Sequence, residues 1–439
     1  MKHLTKKILL PLSILFLMLP ESASAIPSFT RQTGENCMVC HVQNTPKLNS
    51  HGRDFALSGF TKYNSKSETQ ALIEGSDIAL GLPSVMNVSA IIKARYVKTS
   101  DDLDTNSSAD IVGKERGELQ VLESSGLYFA GRIADNVGGV VSITGDPSAT
   151  NDVVFGGKAI LSYKALNGFA GASLYSTQIN GTFYGMENFN TGLNTPLRQF
   201  ENAYVTNAAQ ATGIANGPAT GFQLYYGDNN FFVTVGLTIP SQNNEGLDAG
   251  GSLIPFGRLA YNRTVDKWNF MIGTYGLSGE LKATDESLNG GIITTQGKLV
   301  NIKKEGYGFD FEMTGFIRNM MTMTTANIVM KNIIETTPNN LLISPNLQKT
   351  DNSAASIEFQ INPIEKLGVK VAYLNYDNKD ATAVSREFVK AYDFEAYSFG
   401  LNYLIRQNIT LDAEYSYNDP AESTRDNYHD IYIVASLAF

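Results

Sequence analysis

From about Met86 to Phe439 the chain alternates apolar and polar residues again and again. In 409–418, Ile409, Leu411, Ala413, Tyr415 and Tyr417 fall on one face, and Thr410, Asp412, Glu414, Ser416 and Asn418 on the other. In 307–314, Tyr307, Phe309, Phe311 and Met313 oppose Gly308, Asp310, Glu312 and Thr314; in 397–403, Tyr397, Phe399, Leu401 and Tyr403 oppose Ser398, Gly400 and Asn402. Successive strand side chains point to opposite faces, so each stretch predicts a strand with one apolar and one polar side.

A soluble sandwich shows the same alternation, so the connections have to decide. Very short ones are expected at 134–136, 165–167, 228–229, 264–267, 318–319, 363–366 and 406–408. Between them run longer polar stretches at 99–115, 177–219, 240–252, 280–304, 334–352 and 378–391. Short and long in turn is the pattern of an outer-membrane barrel, with tight periplasmic turns and long external loops. Two strands per short turn, with one more at either end, predict an all-β transmembrane antiparallel β-barrel of about sixteen strands. The last segment agrees: Ile431, Ile433, Ala435, Leu437 and the terminal Phe439 share one face. Closure also removes the open sheet edges whose backbone groups lipid cannot satisfy.

The N-terminal quarter reads differently. Lys2, Lys6 and Lys7, the apolar run Ile8–Leu19 and Ala23-Ser24-Ala25 form the pattern of a secretory signal peptide over 1–25. That apolar run is shorter than the roughly 20 residues of a spanning helix. Residues 26–82 carry little period-two alternation and are expected to form a small segment that plugs the lumen, with the barrel over 83–439. Composition supports strands and turns, with 39 Gly, 21 Tyr and 23 Phe against only 2 Cys. The net charge of −9 argues against a nucleic-acid partner, which needs clustered Lys and Arg.

Both cysteines lie in Cys37-Met38-Val39-Cys40-His41, the C-x-x-C-H spacing of covalent haem c attachment. The thiols would form thioethers, and His41 would supply the proximal nitrogen to iron. A redox C-x-x-C is expected near a βαβ pattern, a zinc site needs four ligands, and a disulfide this local closes only a tiny loop. For the opposite face of the iron His51, ten residues on, is a candidate; His429 at the start of the last strand and Met86 are others, and a five-coordinate iron is a further possibility. Arg31 and Arg53 flank the motif and are candidates for pairing with haem propionates. The inward acids Asp310, Glu312, Asp412 and Glu414 would either draw cations or simply face a wet lumen.

The stretches Ile26–Gly34 and Pro46–Phe55, around the motif, resemble the fused monohaem cytochrome–porins of iron(II)-oxidising bacteria, and Ala130-Gly131-Arg132-Ile133 is also similar to that family. The resemblance covers the whole architecture, but its specific motifs lie within 26–60. In that family an aromatic residue often stands where this chain has His51. The resemblance implies one covalent haem c held by Cys37, Cys40 and His41. It further implies oxidation of extracellular Fe(II) and transfer of the electron to a periplasmic c-type cytochrome. The same conduit run outward to extracellular metals, or a passive porin, are the alternatives. Because one haem spans only part of an apolar band roughly 25 Å tall, residues 26–80 are expected inside the lumen.

Overall fold

The computed structural model describes residues 26–42, 46–64, 87–100, 117–122, 124–145, 153–189, 191–239, 253–284, 299–337, 349–379, 393–421 and 426–439. The signal-peptide reading of 1–25 and the ligand candidate Met86 lie outside these residues. No helix among the described residues is long and apolar enough to cross a membrane; the chain crosses with strands.

Among the described residues, seventeen strand segments form one closed antiparallel sheet. They are β1 (Val88–Thr99), β2 (Glu118–Val121), β3 (Gly126–Ala134), β4 (Val137–Gly145), β5 (Val153–Ala165), β6 (Gly168–Thr177), β7 (Ala219–Gly227), β8 (Phe231–Ile239), β9 (Ile254–Val265), β10 (Trp268–Thr284), β11 (Leu299–Ile317), β12 (Met320–Thr337), β13 (Lys349–Ile364), β14 (Leu367–Asn378), β15 (Phe394–Arg406), β16 (Ile409–Pro420) and β17 (Tyr428–Ala438). β2 and β3 both lie along β1, Val121 opposite Ala94 and Gly126 opposite Ile91. They are therefore two pieces of one stave, and the barrel has sixteen. It closes where β1 pairs with β17, from Ile91 opposite Ala438 to Thr99 opposite Asp430.

All seven short connections expected from the sequence join consecutive strands, and they gather at one end of the barrel with Phe439, whose N–H donates to the carbonyl of Ala90. Leu166, Asp266, Arg318 and Asn408 take positive φ in four of these turns. Such turns match the right-handed twist of the flanking strands. Two long connections are shorter than expected, because β10 runs on to Thr284 and β11 starts at Leu299, while β12 reaches Thr337 and β13 starts at Lys349.

The pleat sorts side chains as the alternation predicts. Leu174, Phe222, Leu259, Phe309, Phe399 and Leu411 stand exposed on the outer wall, whereas Gln223, Asn262, Asp310, Glu358, Asn402 and Glu414 are buried inside. A closed ring with apolar residues out and polar residues in is stable only with lipid around it. The protein is an outer-membrane β-barrel.

Two segments fill the lumen. Residues 26–42 and 46–64 enter from the end with the short turns as three short helices: α1 (Pro27–Thr33), α2 (Cys37–Cys40) and α3 (Ser50–Leu57). The long connection at 177–219 was expected to be an external polar loop, and the structure corrects this: the strands include Thr177 and Ala219, and 178–218 does not stand outside. It folds inward and is almost wholly buried, with a short helix α4 (Ala208–Ala211) held against β12, β13 and β14. Its Asn, Thr and Gln side chains satisfy one another and the lumen wall: Asn207 reaches Glu358 at 3.1 Å, and Asn332 reaches the Thr212 carbonyl at 2.6 Å. A polar wall accepts a polar loop as readily as water does.

Candidate functional site

The motif forms one helical turn. Asn36 caps α2 by accepting the Met38 N–H at 3.0 Å, and the His41 N–H returns to the Cys37 carbonyl at 2.9 Å. Three-residue spacing puts the two cysteines on the same side of that turn. Helix α3 crosses close behind it. The Asn49 N–H donates to the Cys40 carbonyl at 2.9 Å, and the Asn49 amide donates to the Val39 carbonyl at 2.9 Å. Gly52 is required at this crossing, since a Cβ there would lie 2.1 Å from the Cys40 carbonyl oxygen.

Both cysteines are unpaired by disulfide. Burial, then Glu35 and Cys37, push the Cys40 thiol up to about 11. Redox-active C-x-x-C thiols and thiolate metal ligands need the opposite shift. The Cys37 sulfur lies 3.8 Å from the Asn408 side chain, directly above the β15–β16 turn.

His41 is oriented by its carbonyl partner. Its Nδ1 is 2.8 Å from the Pro46 carbonyl oxygen, which can only accept. Nδ1 therefore carries the proton and Nε2 keeps a free lone pair. Burial lowers the imidazole pKa, so the ring is held neutral.

A cavity of about 480 Å³ lies against this motif, between the plug and the inward loop. Cys37, Cys40 and His41 line it together with Phe29, Phe55 and Phe60, whose rings pack at 5.0–5.6 Å from one another. The loop contributes Met186, Glu187 and the stretch 194–201, and the wall contributes Lys93, Arg95, Lys158 and Lys370. Glu187 is buried between Arg258, at 3.5 Å, and its neighbours Asp310 and Glu312; burial above all pushes its carboxyl up to about 8.

The flanking candidates stand elsewhere. His51 does not itself line the cavity; it is half exposed and reaches Glu35, a residue of the cavity wall, at 2.9 Å. Glu35, Cys40 and His51 have donor atoms within 4.8 Å of one another, but the raised Cys40 thiol makes this trio a poor metal site. Arg31 donates to the Val88 carbonyl and lies 3.5 Å from the Ser89 hydroxyl, tying the plug to β1. Arg53 is buried against Glu312 at 3.7 Å and Asn269 at 3.2 Å, stacked over Phe189. Neither arginine lines the cavity. The cations that do are on the wall and the inward loop, and three of them, Lys93, Arg95 and Arg198, share the carboxylate of Glu201 at 3.1, 3.5 and 2.9 Å. Sequence reading missed them because their proximity comes from strand closure and from a loop that reads as external. His429 lies at the far end of β17 from the plug, against the Tyr415 hydroxyl at 2.5 Å.

The inward acids likewise serve as anchors. Glu312 and Glu358 receive the plug's Arg53 and Lys47, Asp310 pairs with Arg258, and Glu414 pairs with Lys370 at 2.6 Å while accepting the Glu201 N–H at 2.9 Å.

No protein-family model matches the chain, and no curated protein does. Solved structures similar to it include an anion-selective porin from Comamonas acidovorans, 10% identical over 81% of this chain and 99% of that one, with a TM-score of 0.49. The outer-membrane channel DcaP of Acinetobacter baumannii is 12% identical over 83% and 99%, TM-score 0.48. OmpT of Vibrio cholerae is 13% identical over 84% and 100%, TM-score 0.45.

Proposed function

We propose that this barrel is an electron-transfer protein that holds one haem c on Cys37, Cys40 and His41. In this reading it oxidises Fe(II) at the cell surface and hands the electron to a periplasmic c-type cytochrome. The observation that carries the proposal is His41: a half-buried, neutral imidazole with Nδ1 committed to Pro46, one residue beyond a C-x-x-C helical turn, on the wall of a cofactor-sized cavity. Cavities of ~300–1,000 Å³ are the usual size for such ligands. The aromatic and aliphatic lining suits a flat apolar ring system, and the thiol chemistry of Cys40 suits a structural rather than a redox-cycling role.

When bound, a haem c supplies a one-electron redox centre. The chain's own residues do the rest. Cys37 and Cys40 would form the thioethers. Pro46 fixes the tautomer that leaves Nε2 of His41 for iron. Phe29, Phe55 and Phe60 exclude water from one side. Met38 and Val39 are exposed on the same turn, at the periplasmic end, where a partner cytochrome can approach. Each Fe(II) would lose one electron to become Fe(III), and the partner would gain it. A haem-stained denaturing gel tests attachment; the appearance of the reduced-haem absorption on Fe(II) addition tests the donor. A stained protein that Fe(II) does not reduce contradicts the donor assignment. Midpoint voltammetry against the Fe(II) couple distinguishes inward from outward flow.

A second reading, a solute porin, is favoured by one feature. Lys93 and Arg95 on β1 stand two strands along the wall from Asp412 and Glu414 on β16, with Arg198 and Glu201 of the loop beside them, a charge arrangement that could select ions. Liposome swelling with small charged solutes is expected only if this reading holds.

A further inference from the structure

The cavity beside His41 raises the question of what meets the iron on the side away from the imidazole. This inference rests on the haem reading above and names a residue for it. Among the described residues, neither His51 nor His429 lines the cavity; the first faces Glu35 and the second Tyr415. The amines that do line it are already engaged: Lys93 donates to Glu201 at 3.1 Å and Lys370 to Glu414 at 2.6 Å, each beside a carboxylate, and Lys158 donates to the Tyr184 carbonyl at 3.1 Å. A protonated amine has no lone pair for a metal. The phenol of Tyr184 would have to lose its proton to bind iron, and burial opposes that. Met38 leaves from the same helical turn as the cysteines and is exposed.

Met186 meets none of these objections. It lines the cavity, is 3% exposed, and packs in the cluster that contains Phe55 and Phe60 of the plug. Its thioether binds iron without losing a proton. Its backbone is fixed on both sides: the Ser173 hydroxyl donates to the Gly185 carbonyl at 3.1 Å, and the Gln223 amide donates to the Met186 carbonyl at 3.3 Å. Gly185 permits the close approach, since a Cβ there would lie 2.4 Å from the Tyr175 ring. We propose that Met186, carried by the inward loop, supplies its sulfur as the second protein ligand to the iron of a haem attached at Cys37 and Cys40. The loop then completes the metal site as well as narrowing the lumen. A thioether ligand favours the reduced iron and raises the potential.

The test is the oxidised absorption spectrum of the purified full-length holoprotein, read in the far red for the sulfur-to-iron charge-transfer band. The wild type is expected to show it, and Met186→Leu, close in volume, is expected to lose it, become high-spin and shift to a more negative midpoint potential while still staining for haem. Met186→His is expected to give a low-spin bis-histidine spectrum and covers the case in which the leucine variant does not fold. A haem-stained wild type without the band, or a leucine or histidine variant that keeps it, overturns the Met186 assignment and leaves the haem reading standing. A wild type that does not stain overturns the haem reading first.

Discussion

The plug and the inward loop both enter the same polar lumen, yet they are held there differently. The plug, 26–64, brings cations to acids on the wall: Lys47 to Glu358 and Arg53 to Glu312, each with its charged groups almost fully removed from solvent. The loop, 178–218, does the reverse and brings two acids to cations, Glu201 to Lys93, Arg95 and Arg198 and Glu187 to Arg258, and otherwise relies on amide and hydroxyl hydrogen bonds. The difference teaches that an inward-facing charge on a barrel strand is not simply a surface for water. Glu312, Glu358, Lys93, Arg95 and Arg258 each receive an opposite charge from a docked segment, while Glu414 pairs with Lys370 within the wall.

The largest expected break is chemical. Cys37→Ser with Cys40→Ser should abolish haem staining altogether while the barrel keeps its heat-modifiable migration, because neither cysteine belongs to a strand. Next is the helix crossing. Gly52→Ala forces a Cβ against the Cys40 carbonyl, and overpacking of this kind costs about 1–3 kcal/mol. A sharp fall in the haem-to-protein ratio is the expected result, and an unchanged ratio would mean the crossing is looser than it looks.

Lys47→Met then removes the plug's deepest cation and leaves Glu358 buried without it, at a cost of about 3 kcal/mol. Limited proteolysis should cut within 26–64 at lower protease concentration, with the barrel intact. Glu201→Gln loosens the loop instead, and single-channel conductance should rise. Burial works against ionisation of Glu201, but Arg198, Lys93 and Arg95 outweigh it and hold its pKa well below the usual value. A depressed carboxylate stabilises at every pH above its unfolded value and loses that contribution only as pH falls through the folded one. Conductance of the wild type should therefore stay flat from neutral to mildly acid pH and rise only in strong acid. The smallest effect is expected at His51→Ala: an exposed pair with Glu35 is worth ~0–1 kcal/mol, and the haem spectrum should not move.

These contrasts also show what sequence alone reveals. The seven tight turns, the apolar and polar faces and the sixteen staves follow from period-two alternation and loop length, both local properties. The motif at Cys37–His41 is local too. Arg53 illustrates the limit: a basic residue near a haem motif reads as a propionate partner, but Glu312 and Asn269, on distant strands, claim it. Met186 and Arg198 were illegible because their loop has the composition of an exposed one, and only strand closure brings its residues to the cavity that His41 also lines.

The central claim is that Cys37 and Cys40 carry a haem. Its most direct test is the intact mass of the denatured chain, purified from a host that attaches c-type haem. The account predicts the polypeptide mass plus one haem, reverting to the bare polypeptide in the double cysteine variant. A wild-type chain at bare mass would contradict it.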